Sequence, residues 1–388
     1  VADLQALIRH SVKVLPEGEL ERKLALGRPL RVKLGIDPTA RDIHIGNAIP
    51  LGRMRAFQEQ GHTGVLIIGD YTARIGDPSG RSQERKVLSD EQIDANARRY
   101  FEQASKILDP ERTELVFNGE WLGKLSFADV LRLARTITVS RMLERNDFEQ
   151  RFKANRPISV SEFLYPLMQG YDSVAIRADV ELGGTDQEYN LLAARDIQQA
   201  YGVDPQVILT TPLINGPDGV RKMSASLDNY IGIDDPPAQM YGRAMSCVDE
   251  LMPLYYRLCL DSDDPPPADP YVAKREWARR LVERWHGPDA AVAAEAGFDR
   301  MFKERRATDD APVIELPDGD SVHLPALLAD NGLAGSRGEA RRLIAQGGVR
   351  LDGVQVAADR LDLGREELAG AELRVGRRFA RIAPTPLV

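Results

Sequence analysis

The sequence predicts an α/β protein built on a doubly wound parallel sheet. Three observations carry that prediction. Short apolar runs at 31–36, 64–68 and 206–214 have the length and composition of strands. Segments with apolar residues at helical spacing lie between them. Gly, Pro and Asp clusters punctuate the joins, so the order strand, turn, helix repeats along the chain. At 388 residues, 43% of them hydrophobic, the chain has room for two or three domains with real cores.

Taken in order, residues 1–30 read as a charged helix leading into the first strand, Arg31 to Ile36. Asp37-Pro38-Thr39 ends that strand. Ile45, Ile49, Leu51, Met54 and Phe57 then mark a helix that stops at Gly61. Such a unit puts its turn at the carboxyl end of a parallel sheet, where open α/β folds bind ligands. His44-Ile45-Gly46-Asn47 stands at the helix N-terminus, whose free N–H groups suit an anion. Gly46 admits a ligand close to the backbone, His44 and Asn47 can donate hydrogen bonds to a phosphate, and Pro50 is expected in or near the first turn.

Gly64 to Ile68 is a buried strand followed by Gly69-Asp70-Tyr71-Thr72, then a tight cluster at 75–80 that contains Asp77. No Gly-Lys-Ser/Thr ending and no G-x-G-x-x-G occurs, which argues against a P-loop kinase or a dinucleotide enzyme. Residues 90–108 read as helix, Thr113 to Phe117 as a strand, and 126–149 as a helix or helix pair. Within 161–176, Tyr165, Gln169 and Asp172 fall at i, i+4 and i+7, on one face of an otherwise apolar helix. A half-exposed polar face and a binding face fit that pattern equally well. Arg177 to Val180 begins another strand, and Leu182-Gly183-Gly184-Thr185-Asp186-Gln187 follows, then a further helix. Lys222-Met223-Ser224-Ala225-Ser226 follows the last core strand. Residues 231–306 read as a helical domain, 307–320 as a linker, and 321–388 as a compact α+β unit. In that unit Arg337, Arg341 and Arg342 share one helix face.

A net charge of −8 argues against non-specific coating of nucleic acid, yet residues 321–388 carry ten Arg against eight acids. No apolar run is long enough for a membrane span, no signal peptide is expected, and the two cysteines, Cys247 and Cys259, suit buried thiols in a reducing cytoplasm.

The segment DPTARDIHIGN resembles the HIGH signature of class I aminoacyl-tRNA synthetases, and Lys222 to Ser226 resembles their KMSKS loop. The pattern YPxxQxYD at 165–172 and the GGTDQ at 183–187 narrow the resemblance to bacterial tyrosyl-tRNA synthetases, and the unit at 321–388 resembles their ribosomal-protein-like RNA-binding domain. The resemblance implies a Rossmann-like catalytic domain over 1–230 with a connective, dimer-forming insertion over about 118–176, then an anticodon-binding helical domain. It implies L-tyrosine, ATP with Mg²⁺, and tRNA(Tyr) as partners, with no structural metal. Gly35, Asp37, Thr39, His44, Gly46, Asn47, Gly184, Asp186, Lys222, Ser224 and Ser226 would frame ATP and the adenylate. His44, Asn47 and Lys222 would serve catalysis. Asp77, Tyr165 and Gln169 would hold the α-amino group, Asp172 the phenol hydroxyl, Gln187 the carboxylate, and Lys33, Asp70 and Thr72 would complete the tyrosine pocket. Arg337, Arg341 and Arg342 would meet tRNA.

Three positions depart from the family pattern. Asn47 replaces the second His of HIGH, Lys33 stands where many members carry a tyrosine, and Ala225 replaces the second lysine of KMSKS. Lys33 shares strand parity with Asp37, so it is expected to face the site and to pair with Asp70 on the neighbouring strand. Two other readings remain open from sequence: a related nucleotidyltransferase that uses no tRNA, and a catalytically weakened RNA-binding paralogue, suggested by Ala225.

Overall fold

The computed structural model describes residues 3–38, 42–76, 89–301, 311–376 and 378–384. Compactness divides the chain into two units, Val1–Pro236 with Arg243–Leu281, and Pro237–Gly242 with Val282–Val388.

In the first unit six strands form one sheet: Lys13–Leu15 (β1), Arg31–Ile36 (β2), Thr63–Ile68 (β3), Thr113–Phe117 (β4), Val180–Gly184 (β5) and Val207–Thr211 (β6). Their order is β1-β6-β5-β2-β3-β4, with β1 antiparallel to β6 and every other pair parallel. From β2 the chain winds outward to β3 and β4; from β5 it winds the opposite way to β6. The boundary between β2 and β5 is therefore the switch point, where a crevice opens beyond the carboxyl ends. Val65 to Ile68 are all buried, as a central parallel strand covered on both faces requires.

The expected helix over 1–30 is instead two short helices, Leu4–Ile8 and Glu19–Leu24, around β1. Three residues of edge strand are too few to leave a periodic signal. Between β4 and β5 the stretch 126–149 breaks into helices Phe127–Ala134, Val139–Met142 and Asn146–Lys153, with Ser126 and Thr138 capping the first two through their hydroxyls. Leu133, Ile137 and Met142 pack on Leu167, Ala193 and Ile197, and so tie this insertion to helices Val160–Ala175 and Glu188–Ala200. Those two helices meet at Gly170, where a Cβ would stand 3.2 Å from the Cα of Ala194. Phe127, Val139, Phe152 and Val160 nonetheless stay exposed on the insertion. Helices Met252–Cys259 and Pro270–His286 follow, and Asp261 between them meets Arg9, His10 and Arg53 of the sheet-bearing unit. No helix among the described residues is long and apolar enough to cross a membrane.

In the second unit, strands Val313–Ile314 (β7), Ser321–His323 (β8), Val349–Leu351 (β9), Val354–Gln355 (β10), Asp362–Gly364 (β11), Glu372–Val375 (β12) and Arg378–Ile382 (β13) form two sheets, ordered β10-β9-β12-β13-β7 and β11-β8. Leu324, Leu328, Ala340, Ile344 and Leu373 make the core beneath them. β7 pairs with β13, so part of the stretch read as a linker belongs to this sheet. Arg337, Arg341 and Arg342 are exposed on helix Arg337–Ala345, which Ser336 caps.

Candidate active site

A cleft of about 590 Å³ lies at the switch point. It brings together Lys33, Gly35, Asp37, His44, Gly46, Asn47, Thr72, Tyr165, Gln169, Asp172, Gly184, Asp186, Gln187, Lys222, Ser224 and Ala225. Thr39 and Asp77 lie outside the described residues, as does the side chain of Ser226.

His44 is the N-cap of helix Ile45–Glu59 and forms a reciprocal cap with Asn47. Its Nδ1 accepts from the Asn47 backbone N–H at 3.3 Å, and Asn47 Oδ1 accepts from the His44 N–H at 3.2 Å. An accepting Nδ1 places the ring proton on Nε2, so each residue spends its acceptor on the cap and keeps a side-chain donor for the cleft. Burial and the nearby Lys222 ammonium push His44 down to about 4, which keeps the ring neutral near pH 7. Pro50 sits one turn deeper than expected, inside the helix, and so leaves the Gly46 carbonyl without its usual helical donor.

Helix Val160–Ala175 forms the opposite wall. Tyr165 donates to Asp37 Oδ2 at 2.9 Å, and Thr72 donates to Asp37 Oδ1 at 2.7 Å. A side chain at Gly69 would stand 2.1 Å from Asp37 Oδ1, so the turn after β3 must be bare there. Gln169 Oε1 is buried and accepts no hydrogen bond among the described residues, an acceptor suited to an ammonium. Asp172 is buried and accepts from Trp121 Nε1 at 2.7 Å and from Asn118 Nδ2 at 3.2 Å. Burial pushes this carboxyl up to about 7, against the opposing Lys33 ammonium and the two donors.

The Lys33–Asp70 pair does not form. Lys33 is register partner to Glu181 on β5 and pairs with its Oε1 at 2.8 Å. On the β3 side Lys33 aligns with Val65, five residues before Asp70, a rise of about 16 Å along a strand. Asp70 is not part of the cleft wall. It accepts instead from the Gly119 N–H at 2.8 Å, where any side chain at 119 would collide with it. Glu181 was readable as an acid inside an apolar strand, whereas Trp121 and Asn118 gave no signal.

The second signature segment is anchored at both ends. Asn215 bridges Lys222, and Gly232 bridges His44, with Ile45 N–H donating to Ile231 O and Ile233 N–H to Ile43 O. Inside the loop Asn229 donates to the Arg221 and Lys222 carbonyls and accepts from the Ser224 N–H. Met223 is buried, and Lys222 reaches Asp186 at 2.5 Å. Gln187 Oε1 accepts from Asn190 at 3.0 Å.

Residues 25–302 match the class I tRNA synthetases (W and Y), and residues 324–364 match the S4 domain. The tyrosine–tRNA ligase of Oleidesulfovibrio alaskensis is 49% identical over 98% of this chain and 98% of its own length. The chain belongs to the tyrosine–tRNA ligase family. The tyrosine–tRNA ligase of Moorella thermoacetica is 50% identical, covering 98% of this chain and 95% of that one. The crystal structure of tyrosyl-tRNA synthetase from Aeropyrum pernix shares the fold at a TM-score of 0.60, with 22% identity over 77% of this chain and 97% of that one.

The cap predicts a pH dependence. The unfolded His44 takes a proton near its ordinary 6.5, and the folded ring resists protonation until about 4. Between those values the unfolded chain binds more protons, so stability falls as pH drops through the window. Asn at this position would still cap the helix but would not titrate. His44→Asn should flatten the decline in denaturant stability across that range relative to the unaltered protein; parallel slopes would refute the assignment.

Proposed function

We infer that the chain is a tyrosyl-tRNA synthetase that activates L-tyrosine with ATP and passes it to the terminal adenosine of tRNA(Tyr). The observation that carries this reading is that both signature segments and the Tyr165, Gln169 and Asp172 face line one cleft. Activation is in-line attack of the tyrosine carboxylate on the α-phosphorus, with pyrophosphate leaving. The protein supplies alignment and donors for the charge that grows on the phosphates. His44 Nε2–H, the Asn47 amide and Lys222 suit that work. Mg²⁺ arrives with the nucleotide in this reading, where it would offset phosphate charge. Gln169 Oε1, Tyr165 and Asp77 would hold the ammonium of tyrosine, and Asp172 its hydroxyl. Gly184 and Asp186 would hold the ribose. Lys222 must then leave Asp186, which costs little because the lysine side chain is half exposed and exposed pairs contribute about 0–1 kcal/mol. The helices of 231–306 and the arginines of 321–388 would read the tRNA in the cytoplasm.

Tyrosine-dependent ATP–pyrophosphate exchange, followed by charging of tRNA, tests the reading; exchange with another amino acid in preference to tyrosine would overturn it. Asp172→Ala should lower kcat/KM for tyrosine and narrow its ratio to that for phenylalanine, because the hydroxyl loses its buried partner. An unchanged ratio would remove Asp172 as the hydroxyl sensor.

A homodimer through the insertion would cover Phe127, Val139, Phe152 and Val160. Sedimentation at micromolar concentration should give twice the 43.0 kDa chain mass; a monomer there would contradict the interface.

Ala225 lines the cleft beside Ser224, at the start of a 3-10 turn, Ala225–Leu227. A lysine there would add a charge on the phosphates as the transition state forms. One such contact is typically worth ~3–4 kcal/mol, about 10²–10³ in rate. Ala225→Lys should therefore speed tyrosyl-adenylate formation in single turnovers and leave tyrosine affinity unchanged. Equal rates would mean that another cation already fills that role.

A further inference from the structure

Lys33 has no exposed surface, and its partner Glu181 almost none. The ammonium has three N–H donors. Two of them donate to Gln169 O at 2.8 Å and Ser173 Oγ at 2.7 Å, and the charge pairs with Glu181 Oε1 at 2.8 Å. With these partners and no exposed surface, the ammonium is committed inside the protein. This changes the part expected of Lys33. It borders the cleft but is a brace, not a ligand.

What it braces is specific. Gln169 and Ser173 lie one helical turn apart and flank Asp172 in the sequence, so the two contacts hold the turn that carries the buried carboxylate. Glu181 completes the brace: it also accepts from Gln169 Nε2 at 3.2 Å, from Ser173 Oγ at 3.3 Å and from Gln206 Nε2. Among the described residues, the charged groups acting on Asp172 are Lys33 from β2 and Glu181 from β5. The neutral donors Trp121 and Asn118 come from the start of the insertion. Lys33 thus pairs directly with Glu181 and is the cation acting on Asp172 from the neighbouring strand. Without it, the buried Asp172 carboxyl takes up a proton more readily, because burial disfavours its charge and the offsetting cation is gone. A protonated Asp172 is itself a donor and no longer demands an O–H from the substrate. Phenylalanine would then leave no stranded anion behind, and its exclusion would weaken.

We propose that Lys33 is a specificity-determining positioning residue that acts through Asp172: it fixes the helix turn and supplies the positive charge that keeps a carboxylate facing the substrate hydroxyl. The inference rests on the tyrosine-activating reading above and assigns the selection to a pair, Lys33 and Glu181, that touches no substrate.

The test compares the unaltered protein with Lys33→Met and with Lys33→Met/Glu181→Gln. The double variant removes the Lys33–Glu181 pair together, so Glu181 is not left as a buried anion without its partner, and it carries the experiment if the single variant fails to fold. The reading is the ratio of kcat/KM for tyrosine to that for phenylalanine in ATP–pyrophosphate exchange, from weakly acidic to weakly alkaline pH. In the unaltered protein the ratio should rise with pH as Asp172 ionises. In Lys33→Met the midpoint of that rise should move up by about one pH unit or more, a tenfold loss of the ionised form on the acid side; in the double variant, which also loses the opposing Glu181 charge, it should move up by less. Selection lost near neutrality should then return in alkali. A loss equal at every pH, or a midpoint that does not move in either folded variant, would make Lys33 a packing element only and overturn the proposal. No tyrosine-dependent exchange by the unaltered protein would instead overturn the functional reading beneath it.

Discussion

The short parallel contact between β2 and β5 governs this molecule. Only Val32 with Val180 and Lys33 with Glu181 stand in register. Beyond them Leu34, Gly35 and Ile36 on one strand and Leu182, Gly183 and Gly184 on the other line the cleft instead of pairing. Where the ladder stops, backbone donors and acceptors of two central strands are released toward one space, and obligatory polar groups there are satisfied by whatever binds. The same contact sets Lys33 against Glu181 and carries helix Val160–Ala175 into line with the turn after β2. The sheet's change of winding and the position of the site are one geometric fact.

Around that opening the protein relies on primary amides. Gln103 accepts from the Ile43 N–H and donates to both Asp42 and Asp234, so it holds from behind the two segments that bridge at His44 and Gly232. Asn118 accepts from the Tyr71 N–H and donates to Thr72 and Asp172. Asn229 does the same within the loop after β6. An amide can donate and accept at once without carrying charge. It can therefore fasten backbone segments around the cleft without adding a net charge there.

The strands β2, β3, β4 and β6 and the helix behind His44 were legible because apolar spacing over five or more residues reports burial on a known period. The Tyr165, Gln169 and Asp172 stripe was legible for the same reason. Partners across the sheet were not. Strand parity correctly turned Lys33 inward, but its acceptor depends on which strand lies beside β2 and at what offset, and a chain read in order favours β3 over the distant β5. The cap between His44 and Asn47 was present in the letters as a spacing of three, yet phosphate donation was the only role considered for those side chains. Trp121 and Asn118 belong to a stretch with no period at all, and contacts made by irregular backbone leave no periodic trace.

The antiparallel bridge between His44 and Gly232 has a consequence for how the molecule is made. Its halves come from near the two ends of the sheet-bearing unit, so the ribosome has completed every core strand before the second half emerges. Until then the helix behind His44 ends in an unpaired extended segment, and Gln103 has only one of its two carboxylate partners. Closing so long a loop is slow relative to forming the local helices. The His44 side of the cleft is thus among the last parts of this unit to be assembled, and a nascent chain can bury much of its core well before that side is complete.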